Sequence, residues 1–196
     1  MQRVRDTFCS FCGTKYPKGT CSPVGSLAFP EPLTYPRTCT SCTTQVWVNP
    51  TPVAVVLVQI VDGERTGLLV IRRAIPPIGK LALVGGFVEE HESWQQGGAR
   101  EVREETGAII DAATLEPMWY ASSAPRPNRV LLFSIAPPLA VSALPPFAGD
   151  TEASERGVVF GPEGLDDVFA FSLHCEAARR YFTQRGVAGH HDFRPR

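Results

Sequence analysis

From Val53 to Val61 the chain reads VAVVLVQIV, an aliphatic run broken only by Gln59. The run is short and rich in β-branched residues, so it predicts a strand buried on both faces rather than a helix. Asp62-Gly63 opens a turn, and Gly67–Arg72 reads as the next strand. Ile75-Pro76-Pro77 is a loop, after which Leu81–Val84 forms a third short strand running into Gly85-Gly86. Ser93–Thr106 is predicted as a helix closed by Gly107 as its C-cap. Gly97 and Gly98 lie inside it at a cost of ~1 kcal/mol each against Ala, which predicts a helix backbone pressed close to the sheet. Beyond it, Leu115–Ala121 and Val130–Ile135 read as strands joined by the polar loop SSAPRPNR. Ala136–Gly149, holding Pro137, Pro138, Pro145 and Pro146, reads as loop; Gly157–Phe160 is a last strand and Cys175–Thr183 a terminal helix. Strands and helices alternate irregularly, as in an α/β or α+β domain with a mixed sheet. Residues 1–48 have few aliphatic positions and could not fold on a core of their own, which sets domains at 1–48 and 49–185 and a flexible tail at 186–196.

The predicted helix carries unusual chemistry. Glu101 and Glu105 differ by about 40° around a helix, and Glu104 lies about 60° from Glu101 on the other side. Three carboxylates then share one face within a turn, where mutual repulsion would raise their pKa values. A hard divalent cation, Mg2+ or Mn2+, relieves that repulsion and takes oxygen ligands. Gly85 and Gly86 let the backbone turn tightly enough to add a carbonyl to the set.

Residues Gly86 to Ala108, GFVEEHESWQQGGAREVREETGA, hold Gly86, Glu92, Arg100-Glu101, Val102, Glu104-Glu105 and Gly107 at fixed spacings. This resembles the Nudix box, G-x5-E-x7-R-E-U-x-E-E-x-G-U, in which U is bulky and aliphatic; Ala108 is the one departure. The resemblance implies an α/β/α sandwich and a Mg2+- or Mn2+-dependent pyrophosphohydrolase that opens a phosphoanhydride. It makes Glu101 and Glu105 the principal metal ligands, gives Glu104 a further metal or the attacking water, and adds the Gly85 carbonyl. Arg100 and Glu92 would form an ion pair that orients Glu101. The general base would be a box glutamate or one near the end of the fold, Glu152 or Glu155. Arg73, or its neighbour Arg72, is placed where family members touch substrate phosphate. Trp119 and Tyr120 read as core aromatics, His91 as a turn residue, and His174, His190 and His191 lack partners at metal spacing.

Composition narrows the class. The chain has 196 residues, 43% of them hydrophobic, with a formal net charge of −1, which argues against a broad basic surface for nucleic acid. The longest apolar run falls far short of the ~20 residues a membrane span needs, and MQRVRDTFCS shows no secretory signal, so a cytoplasmic protein is expected. Cys9/Cys12 and Cys39/Cys42 form two C-x-x-C pairs with 26 residues between them. That spacing suits a structural Zn2+, with disulfides the lesser reading in a reducing compartment. Cys21 and Cys175 read as small apolar residues. FCSFCGTKY and TCTSCTTQVW look like the knuckles of a zinc ribbon, joined by a proline-rich loop.

A ribbon before a Nudix domain is similar to the NADH diphosphatases. The family motif S-Q-P-W-P-F-P-x-S is absent here, its region reading SSAPRPNRVLLF. The expected substrate is a nucleoside diphosphate linked to another group, with NADH and ADP-ribose leading, capped RNA the one nucleic-acid ligand entertained, and a homodimer expected. The alternative class is a nucleotide-sensing or nucleic-acid-binding module built on the same fold and ribbon.

Overall fold

The computed structural model describes residues 8–16, 36–47, 49–123 and 128–196, which fall into two compact units meeting at Asn49 and Pro50. Cys21, and Ala124–Pro127 of the SSAPRPNR loop, lie outside the described residues.

The first unit is built on two matching turns. Cys9 N–H donates to Thr14 O at 2.8 Å and Gly13 N–H to Cys9 O at 2.9 Å; Cys39 N–H to Thr44 O and Thr43 N–H to Cys39 O, both 3.0 Å, repeat the pattern. Each turn needs a left-handed residue after its second cysteine. Gly13 supplies it at φ 73°, and Thr43 adopts φ 59° in the same place. Strands β1 (Arg37–Thr38) and β2 (Gln45–Val46) pair antiparallel around the second turn. Cys9, Cys39 and Tyr16 form the small buried centre, with the Arg37 guanidinium 3.7 Å above the Tyr16 ring.

The second unit is a seven-stranded mixed sheet between helices, ordered β6-β7-β3-β5-β4-β8-β9. Its strands are β3 (Thr51–Asp62), β4 (Arg65–Arg73), β5 (Leu81–Phe87), β6 (Glu116–Ser122), β7 (Arg129–Ala140), β8 (Ala153–Val159) and β9 (Phe193–Pro195). Strand β3 shows why an unbroken aliphatic run sits at the centre of the sheet. Val55 and Leu57 point into one core and Val56, Val58 and Ile60 into the other, so both faces bury side chains at the period of two. One core is closed by α3 (Ser172–Gln184) through Ala177, Ala178, Tyr181 and Phe182. The other is closed on the side of α1 (Trp94–Thr106) by Val102 with Ala108 and Leu115. A single turn, α2 (Leu165–Val168), precedes α3. Among the described residues β3 and β7 are the parallel pair; the other ladders are antiparallel.

Two segments read as irregular are strands. β7 continues through Pro137 and Pro138 to Ala140, because its pairing with β6 ends at Ile135 and the ladder to β3 shifts register between Val58 and Ile60. Prolines fit there, where no ladder amide is required of them. Within 186–196, read as a tail, Phe193–Pro195 pairs with β8, and Arg65 and Asp192 form an ion pair of 2.7 Å. Tyr120 departs from the expected core role: it is 76% exposed, whereas Trp119 on the opposite face stacks on Phe133 at 5.0 Å.

Candidate active site

The strand–turn–helix from β5 to α1 sets the carboxylates. Ser93 caps α1, accepting from Gln96 N–H while the Gln96 side chain accepts from Ser93 N–H, and Gly107 ends the helix in the left-handed conformation at φ 72°. Gly98 brings the helix onto β3, where an added Cβ would lie 2.8 Å from Val56 Cγ2. At Gly97 it would lie 2.7 Å from Glu92 Oε1, and at Gly86 2.3 Å from Glu101 Oε1. Gly85 adopts φ +155°, and a Cβ there would lie 2.2 Å from Ala54 O. Each small residue makes room for a carboxylate or for the sheet.

Arg100 organises the acids. Its Nε and Nη2 donate to Glu92 Oε2 and Oε1 at 3.1 and 2.8 Å, its Nη1 to Glu101 Oε1 at 2.7 Å and Glu104 Oε2 at 3.0 Å, and Nη2 also to Phe87 O at 2.9 Å. Glu92 in turn accepts from Glu89 N–H at 2.9 Å. The Arg100 hydrogen bonds hold the Glu92 carboxyl below its ordinary range, and Glu92 keeps the guanidinium more firmly protonated. Glu105, buried, accepts from Gly85 N–H at 2.9 Å. Burial pushes Glu105 up to about 8 against the pull of that amide, with Glu101 and Glu152 adding repulsion. Burial also raises Glu101, opposed by Arg100.

These acids line a cleft of about 1030 Å³. Glu101, Glu104 and Glu105 form one wall with Gly85, Gly86 and Arg100, and Asp150–Glu152 from the loop before β8 join it. Arg73, Phe171 and His174 line the cleft as well, Arg73 lying in register with Ala153 beside Glu152. Phe87 and Arg129 stand at the rim, the guanidinium 5.1 Å from the ring centroid. Of the two base candidates, Glu152 lines the cleft, while Glu155 is ion-paired to Arg72 at 2.7 Å. Arg72 and Arg73, adjacent on β4, part in the same way: Arg72 stacks on Phe193 and Arg73 on Phe171. His91 is exposed and His190 and His191 stack on each other, whereas His174 is buried in the cleft wall. Nothing in the sequence marked His174, Phe171 or Asp150, because the loop before α3 and the turn before β8 carry no motif.

The acids fit a divalent cation by donor type and by the raised pKa values of Glu101 and Glu105, although Arg100 holds one oxygen each of Glu101 and Glu104. At Gly85 the contact present is its N–H to Glu105. In the first unit the sulfurs of Cys9, Cys12, Cys39 and Cys42 all lie within 4.8 Å of one another, the one such group of metal-ligating side chains among the described residues. Cys9–Cys42 at 3.8 Å and Cys12–Cys39 at 3.6 Å are too long for disulfides and suit four thiolates around one Zn2+. Hydrogen bonds from Thr14 lower Cys12 to about 6, towards the thiolate a metal requires.

The second unit is thus a mixed sheet between helices, in which a glycine turn feeds an acidic helix into a cleft. A profile of the NUDIX domain matches residues 50–166, and the chain belongs to the Nudix family, as a pyrophosphohydrolase. The crystal structure of a NUDIX hydrolase from Nitrosomonas europaea is similar at a TM-score of 0.64 and 26% identity, over 94% of this chain and 96% of that one. The NUDIX domain of NrtR from Shewanella oneidensis, solved with ADP-ribose, matches at 0.58 and 16% identity, over 71% of this chain and 90% of that one. A C. elegans Ap4A hydrolase matches at 0.55 and 13%, over 69% of this chain and 98% of that one. The last two likenesses are of fold alone. No curated protein matches the sequence.

Proposed function

We propose that the chain hydrolyses the diphosphate linkage of a nucleoside diphosphate joined to another group, with NADH and ADP-ribose the leading substrates, and that it requires Mg2+ or Mn2+. The observation that carries this reading is the buried Glu105 carboxylate beside Glu101 and Glu152 in an open cleft, with Arg100 held on Glu101 and Arg73 the cation acting on Glu105. Glu101, Glu104 and Glu105 hold the cation, with the Gly85 carbonyl as a further ligand. When bound, the ion neutralises diphosphate oxygens and acts as a Lewis acid.

The chain's own residues do the rest. Arg100, locked by Glu92, fixes the directions of Glu101 and Glu104. Glu152 takes the proton of a water aimed at phosphorus, since it lines the cleft and has no ion-pair partner among the described residues. Arg73, lining the same cleft, meets a phosphate oxygen. The ligand-bearing structures of the NrtR domain with ADP-ribose and the Ap4A hydrolase complex support a nucleotide-type substrate. In the first unit Cys9, Cys12, Cys39 and Cys42 hold a structural Zn2+ that supplies the stability its small core lacks.

The test is release of mononucleotide from NADH, ADP-ribose and dinucleoside polyphosphates, with Mg2+, with Mn2+ and in cation-depleted buffer. Turnover of at least one substrate that vanishes without the cation is expected. Absence of turnover of the whole panel, with tight binding instead, would favour a nucleotide sensor.

A further inference from the structure

Arg156 is a cation with almost no access to water, 2% exposed, and it does not line the cleft. It lies on β8 two residues before Val158, so at the strand period of two it points to the same face, into the core closed by α1. No acidic side chain among the described residues bonds to it; its guanidinium donates to main-chain oxygens alone. Nη1 donates to Thr106 O, Nη2 to Pro145 O at 2.7 Å and Nε to Arg196 O at 3.3 Å, with the Phe147 ring centroid 5.2 Å away.

A buried charge of this kind is costly, and burial pulls the Arg156 pKa below the ordinary arginine value. An apolar side chain of similar volume often serves the stability of a core as well or better. What it could not supply is a bond from β8 to α1. Thr106 is the last residue of α1, directly after Glu105, and its carbonyl lies at the negative end of the helix, where a cation is favoured.

Each end of that link carries one half of the site. Glu152 stands directly before β8 and is fixed on the sheet: its N–H donates to Asp150 Oδ1 and its carbonyl accepts from Ala74 N–H, both at 2.7 Å. Glu105 is fixed on β5 by the Gly85 N–H. Among the described residues, the bond from Arg156 to Thr106 O is the one hydrogen bond that joins β8 to α1. Residues 145–149, which lead to Asp150, also make a single hydrogen bond among the described residues, from Arg156 to Pro145 O. The same proline abuts the cap of α1, since a Cβ on Gly107 would lie 3.0 Å from Pro145 Cγ.

We propose that Arg156 is a positioning residue for the hydrolysis: by bonding Thr106 and Pro145 it fixes the separation between Glu152 on the strand and the carboxylates of α1. This rests on Glu152 acting as the base. Base and cation ligands serve one water and one phosphorus, so a misplacement of about 1 Å between them costs up to ~10² in rate.

The test is a double-mutant cycle of Arg156→Met and Glu152→Gln in the full-length protein, with Mg2+ and the best-hydrolysed member of NADH, ADP-ribose and the dinucleoside polyphosphates. The rate is expressed per folded molecule, the folded fraction coming from circular dichroism. Arg156→Met should lower kcat at least tenfold while KM and the Mg2+ concentration for half-activation stay within threefold, because Glu105 keeps its tie to Gly85. In the Glu152→Gln background the same substitution should lower kcat less than threefold, since the base it positions is gone. A loss of stability alone would act equally in both backgrounds. Should Arg156→Met not fold, Arg156→Lys, which keeps the charge and loses the fork, carries the same cycle. A kcat within twofold of the unaltered chain, or equal falls in both backgrounds, overturns the positioning role. Undiminished turnover in Glu152→Gln alone removes the base and the brace with it; a large Glu152→Gln effect beside an additive Arg156→Met effect removes the brace and leaves the base.

Discussion

Glu105 is the residue on which charge and burial meet, and the one the proposed cation would relieve. Its carboxyl is raised to about 8 in the folded chain against about 4.5 unfolded, so the folded state keeps a proton that the unfolded state has released. The stability linked to that proton is complete below pH about 4.5 and is lost as pH rises through 8, with a slope of up to ~1.4 kcal/mol per pH unit. Denaturant unfolding of the cation-free protein at pH 5 to 9 should show this decline, Mg2+ should reverse it above pH 7, and Glu105→Gln should flatten it. A cation-free stability that rises over that range would contradict the burial argument. At the base position the expectation is unequal. Glu152→Gln should lower kcat by ~10²–10⁴, whereas Glu155→Gln, which only frees Arg72, should change it less than threefold. Equal losses in steady-state kinetics would remove Glu152 from that role. The carboxylates were legible because each is placed by its spacing. His174, Phe171 and Asp150 were not, because only the folded chain brings loop ends to a cleft.

Among the elements, α1 shows how a glycine pair reports packing. Helix propensity alone makes Gly98→Ala stabilising by ~1 kcal/mol. Here the new methyl meets Val56 Cγ2 at 2.8 Å, on a side chain with no exposure and one stiff rotamer. Overpacking of that kind costs about 1–3 kcal/mol. Thermal denaturation should therefore give a lower Tm for Gly98→Ala; a higher one would mean that the helix sits farther from β3. The ends of α1 follow from capping chemistry visible in the sequence, Ser93 with Gln96 and Gly107 with Arg103 O. β3, β4 and β5 were legible from aliphatic runs. β7 was cut short at Ile135 because prolines usually end strands, a rule that fails where a strand loses its neighbour on one side. β9 was hidden for another reason: FRP has no strand pattern and gains its structure from the edge of β8.

For the molecule as a whole, the box fixes a family and a fold, while the parallel pairing of β3 with β7 and the strand order rest on contacts between residues about 78 apart. Long-range pairing leaves no local mark, and the resemblance to Nudix proteins stood in for it. The cysteine pairs were equally legible, since two C-x-x-C turns carry their own geometry and the matching hydrogen bonds around Cys9 and Cys39 follow from it. What the sequence does not display is that Arg73, Asp150, Glu152, Phe171 and His174 come to line the same cleft as the box carboxylates.

The most direct test of the central claim is turnover of the best substrate of the panel in Mg2+ by Glu104→Gln and Glu105→Gln, each beside the unaltered chain. The account predicts a fall in kcat/KM of at least ~10²-fold in both, with folding intact. Turnover at the unaltered rate in both variants would contradict it.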